Sequence, residues 1–65
     1  MNLILLREKD FLSADRVVIR GRRLRHVREV LRSTVGDILC VGQLNGPLGK
    51  GTITAVDREA LEMDV

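Results

Sequence analysis

The sequence predicts a mainly β domain with one α-helix, arranged as a small barrel closed or plugged by that helix. Three observations predict it. Only one segment, residues 21 to 32, repeats its apolar residues at three- and four-residue spacing. The other apolar segments are short and rich in β-branched residues or strictly alternating, as strands are. Sixty-five residues make one domain, 1 to 65, with room for a single core.

The elements follow in order. Residues 2 to 6 form a continuous apolar run ended by Arg7-Glu8-Lys9-Asp10, which reads as a buried strand. A polar connection with Ser13 and Asp15 leads to Val17-Val18-Ile19, a second strand. Gly21, a tolerable N-cap, opens a helix that runs to about Arg32. Its apolar stripe is Leu24, Val27, Val30 and Leu31. Ser33 to Asp37 turn the chain into a third strand, Ile38 to Val41. The stretch from Gly42 to Gly51 holds four glycines and the sole proline, and it reads as a flexible hairpin loop with Asn45-Gly46 as the turn. Thr52 to Val56 has strand composition, and Asp57-Arg58-Glu59 makes a turn. Leu61, Met63 and Val65 then alternate with Glu62 and Asp64, a strand with one wet face. The order along the chain is β-β-α-β-β-β. The sequence stops at Val65 inside an apparent strand, which predicts a domain cut from a longer protein.

Composition narrows the function classes. Hydrophobic residues are 45% of the chain, ordinary for a folded protein, but Phe11 is its lone aromatic residue, so the core is aliphatic. No stretch approaches the roughly 20 apolar residues of a membrane span, and Leu3-Ile4-Leu5-Leu6 lacks the basic flank and length of a secretion signal. These features predict a cytoplasmic protein with no membrane partner. The single cysteine, Cys40, agrees, because a small secreted domain normally carries a disulfide framework. Cys40 lies in an apolar run and reads as a small core residue.

Charge is the informative feature. Five arginines and one glutamate fall between Arg22 and Arg32, in a chain whose formal net charge is +2. On a helical wheel Arg22, Arg25, Arg28 and Arg32 cluster opposite the apolar stripe, with Glu29 among them. Arg23 falls beside the stripe, where its stem can lie on the core and its head reach water. The planar fork of arginine suits phosphate, so the outer face is a candidate RNA contact. Its structural alternative is a solvated face tied by Arg25 and Glu29. Lys50, in the glycine-rich loop, is a further candidate for a phosphate contact. His26 borders the apolar stripe with no second histidine to pair with, and reads as a packed or boundary residue.

Other chemistry is excluded. Gly46-Pro47-Leu48-Gly49-Lys50-Gly51-Thr52 fails the phosphate-loop pattern, because Leu44 stands at its first glycine position and Gly51 where Ser or Thr follows the lysine. Asp57, Glu59, Glu62 and Asp64 read as solubility and edge-protection charges. A helix-turn-helix reader of DNA needs a helix where Val17-Val18-Ile19 reads as strand. No nucleophile–base pair, metal cluster or cofactor fingerprint is present in the sequence.

His26-Val27-Arg28-Glu29-Val30-Leu31-Arg32, then Gly36-Asp37, Ile38-Leu39-Cys40-Val41, Asn45-Gly46 and a strand around Ile53, resembles the amino-terminal domain of the RsmE family. The resemblance spans essentially the whole chain. It departs from the family in having Asn45 where many members have Asp, and in lacking aromatic residues near the first strand and after the turn. The family methylates N3 of a uridine in 16S ribosomal RNA. The resemblance implies a PUA-like β-barrel that recognises RNA, with 16S ribosomal RNA or the small ribosomal subunit as partner. It also implies a second, SPOUT-class domain outside these residues that binds S-adenosylmethionine and forms a homodimer. The chain itself is then expected to hold no cofactor and no catalytic residue, and to be inactive alone. Two other readings stay open: a stand-alone nucleic-acid-binding module, and a protein-interaction barrel with no RNA partner.

Overall fold

Alternation sets which side chains meet. In the computed structural model, which describes residues 3–43 and 46–65, every strand turns alternate residues inward: Ile4 and Leu6, Val17 and Ile19, Leu39 and Val41, Gly51 and Ile53, Leu61 and Met63. The strands are β1 (Leu3–Leu6), β2 (Arg16–Ile19), β3 (Ile38–Gln43), β4 (Leu48–Val56) and β5 (Leu61–Asp64). They form one sheet in the order β1-β3-β4-β5-β2. β1 runs parallel to β3, and the other pairs are antiparallel. A register shift between Ile53 and Ala55 bends β4 against β5.

The sheet curls into a half-barrel. Among the described residues its edge strands β1 and β2 do not pair with each other. A 3₁₀ turn, Glu8–Asp10, spans the gap between them, and Phe11 bridges to Val17 while the Leu12 amide donates to the Arg16 carbonyl at 2.8 Å. The single α-helix among the described residues, α1 (Gly21–His26), lays Leu24 onto the core, and a π-helical turn (Val27–Leu31) adds Val27. Burying each such aliphatic side chain stabilises the fold by ~1.5–3 kcal/mol.

Several sequence expectations are corrected. Val30 is 65% exposed rather than core-facing. The Arg32 amide donates to the Val27 carbonyl five residues back, so the last turn is wider than an α-turn. The phase of the 3.6-residue repeat is lost there: Leu31 reaches the core and Val30 does not. Arg32 ends the helix in the left-handed conformation at φ 54°. Gly21 is the first helical residue, at φ +68°, and Arg20 holds the N-cap. Cys40 is half-buried on the outer face of β3, because alternation gives the interior to Leu39 and Val41.

The region around Lys50 is not a flexible loop. β4 begins at Leu48, and Lys50 lies within it opposite Cys40. Gly51 serves packing there: a Cβ on it would sit 2.9 Å from Met63 Sδ and 3.1 Å from Val65 Cγ1, whereas Gly49 faces open space. The amide of Gly46 bonds to the Gln43 carbonyl at 2.9 Å, while Asn45 of the expected turn lies outside the described residues. Glu62 and Asp64 belong to an interior strand, not an edge, and both face Arg16 of β2, at 3.1 and 3.9 Å.

Candidate nucleic-acid interface

The helix is fixed to the chain beside the sheet by a partly buried ion pair. Arg23, expected to reach water, instead turns its guanidinium onto Asp10: Nη1 donates to Oδ2 at 2.6 Å and Nη2 to Oδ1 at 2.8 Å. The Arg7 amide donates to the same Oδ2 at 2.7 Å. Asp10 is only 7% exposed. The hydrogen bond from Arg23 holds its carboxyl below the usual carboxylate range, against the opposing effect of burial. Asp10 in turn raises the Arg23 pKa. Arg23 Nη1 also donates to the Leu5 carbonyl at 2.8 Å. One side chain thereby joins α1, the 3₁₀ turn and β1. The sequence could not pair Arg23 with a carboxylate thirteen positions away, because local periodicity carries no such contact.

With α1 so placed, Arg22, Arg25, Arg28 and Arg32 are all exposed. They do not share one environment. Arg25 Nε lies 3.8 Å from Glu29 Oε2, an exposed i,i+4 pair of small energetic weight. Arg28 and Arg20 lie close enough to Asp57 to help lower its pKa, after the larger effect of the Glu59 and Ala60 amides that donate to Asp57 Oδ1. Arg32 follows the π-helical turn. Lys50 borders a separate, small groove of about 250 Å³ with Gln43, Pro47 and Leu48.

Arg22 belongs to a larger groove of about 690 Å³ between α1 and β1. Its walls include Arg7, Lys9, Arg20, Arg22, Arg23 and His26, and its floor is the run Leu3 to Leu6. Among the described residues, Arg7, Lys9, Arg20 and Arg22 have no carboxylate within 4.0 Å. His26 is half-buried here, as a boundary residue. Arg7, Lys9 and Arg20 were not singled out in the sequence. Arg20 was legible as one more arginine just before the helix, whereas Arg7 and Lys9 alternate with acids and look neutral. No cluster of histidine, cysteine and carboxylates suited to a metal occurs among the described residues. No helix among them is long and apolar enough to cross a membrane.

No family model matches this sequence, and no curated protein matches it. A solved structure described as an hypothetical protein shares the fold, with a TM-score of 0.82 and 18% sequence identity. The match covers 98% of this chain and 27% of that one, so the chain spans about a quarter of that protein's length.

Proposed function

We propose that this chain is the RNA-recognition domain of an S-adenosylmethionine-dependent 16S rRNA (uracil-N3)-methyltransferase, and that its half-barrel is of the PUA-like kind. Its task is to dock the enzyme on small-subunit ribosomal RNA. The cofactor, the methyl transfer and the homodimer contact belong to the second domain of the resembled family. The reading is supported above all by the cations that α1, its N-cap, the π-helical turn and its C-cap hold in the open: Arg20, Arg22, Arg25, Arg28 and Arg32 are exposed on one continuous helical segment anchored by Leu24, Val27 and the Arg23–Asp10 pair. A face held that firmly loses little entropy on meeting phosphate. With no aromatic side chain on it, the face grips the backbone and discriminates little by stacking.

The outer side of the sheet favours a second reading, a protein-interaction barrel. Leu3, Leu5, Ile38 and Leu48 are exposed on the outer side of β1, β3 and β4, and Leu3 and Leu48 both flank Gly42. Parallel titrations with ribosomal RNA and with an acidic protein separate the two. The RNA reading expects binding to RNA that Arg25→Gln/Arg28→Gln weakens, with a shallower salt dependence, while the fold persists. Equal RNA affinity of that variant and the parent at low salt would make the outer arginines a solvated surface. Binding to the acidic protein alone would favour the second reading.

A further inference from the structure

The groove between α1 and β1 differs in kind from the outer helical face. On the outer face arginines have acids nearby, Glu29 for Arg25 and Asp57 for Arg28. Around the groove, Asp10 is engaged by Arg23 and the Arg7 amide, so Arg7, Lys9, Arg20 and Arg22 form a cationic rim that no carboxylate of the described residues touches within 4.0 Å, with Arg20 sharing the field of Asp57 and Lys9 that of Asp10. The floor is apolar and belongs to an edge strand: β1 pairs only with β3. Its Leu5 carbonyl accepts a planar N–H donor, that of Arg23, so this edge of β1 is turned toward α1.

From this juxtaposition we propose that the groove receives one unpaired nucleotide of an RNA strand, its base over the β1 edge and its flanking phosphates on Lys9 and Arg22. The inference rests on the RNA reading above and names the form of RNA that the site takes. A volume of about 690 Å³ is ample for a nucleotide and lies within the range of small-molecule sites. Phosphate on the rim meets cations that are not tied in ion pairs within 4.0 Å among the described residues. A base on the floor meets Leu3 and Leu5 and the edge of β1, and the Arg22 guanidinium supplies the plane on which bases stack where aromatic residues are missing. A duplex can offer the rim its phosphates but not the floor a base, because its bases are paired and stacked and cannot drop into a cleft. The outer arginines, by contrast, contact any phosphate backbone, paired or not.

The test compares two variants that remove equal charge, Lys9→Gln/Arg22→Gln and Arg25→Gln/Arg28→Gln, each confirmed folded by its amide spectrum. Each is titrated with an oligouridine strand and with the same strand annealed to oligoadenosine. The parent is expected to prefer the single strand by about tenfold, equivalent to ~1.4 kcal/mol. The groove variant loses that preference. The outer-face variant weakens both forms alike and keeps it. A groove variant that retains the parent's preference, or a parent with none, overturns the nucleotide site and leaves RNA binding standing. A parent that binds neither form overturns both.

Discussion

Asp10 is the residue whose loss should cost this fold most for its size. Asp10→Ala removes the acceptor of three hydrogen bonds, from the Arg7 amide and from both terminal nitrogens of Arg23. Breaking one side of a buried ion pair costs ~3–5 kcal/mol. The Arg23 side chain is 31% exposed, so a freed guanidinium reaches water and recovers part of that. A loss of ~2–3 kcal/mol remains, with Asn, which keeps one acceptor, at the lower end. A core of this size supplies only ~3–5 kcal/mol in total. At ~4–8 °C per kcal/mol, the melting temperature should fall by ~10–20 °C. The pH dependence carries the same signature. The folded carboxyl titrates below the unfolded value of 3.8, so its stabilisation is present above 3.8 and is lost as pH falls through the folded value. Thermal melts of the parent, Asp10→Asn, Arg23→Gln and the double variant, from neutral to acid pH, measure the coupling. The single variants should be non-additive, and Asp10→Asn should flatten the acid limb. An Asp10→Asn protein that melts with the parent and follows its acid profile would refute the lock.

Two further substitutions probe packing. Gly51→Ala should destabilise by ~1–3 kcal/mol in urea unfolding, because its Cβ would crowd Met63, Val65 and Val41; an unchanged midpoint would mean that the strands part freely there. Val30→Thr should leave stability within ~0.5 kcal/mol of the parent, while Val27→Thr, with its hydroxyl in the core, should cost ~1–3 kcal/mol. Equal costs would restore the regular helix that the sequence predicts.

What was legible in the sequence was whatever repeats locally. Val17-Val18-Ile19, the alternation from Leu61 to Met63 and the stripe of Leu24 and Val27 identify their elements correctly, because burial on one side imposes a short period. Val30 misleads because one wide turn shifts the helical phase without leaving a mark in composition. Lys50 misleads because the glycines beside it read as loop, although both stand in a strand and one of them, Gly51, admits Met63 and Val65. The Arg23–Asp10 pair and the groove it borders are tertiary: they bring residues 5, 10 and 23 together, and no pattern within one segment encodes that. The arginine concentration was visible from the start, but its division was not. The acids at 10, 29 and 57 sort the cations into an anchored one, Arg23, three with an acid nearby, Arg25, Arg28 and Arg20, and a rim along β1 that Arg20 shares with Arg7, Lys9 and Arg22.

The central claim, that these cations grip RNA through its phosphates, is tested most directly by the salt dependence of binding. Titrating the chain with a single-stranded RNA over a series of salt concentrations gives the slope of log K against log salt. Three or four phosphate contacts, the number the rim of Arg7, Lys9, Arg20 and Arg22 can make, should give a slope of about −2 to −3. A slope near zero, or no binding at low salt, would contradict it.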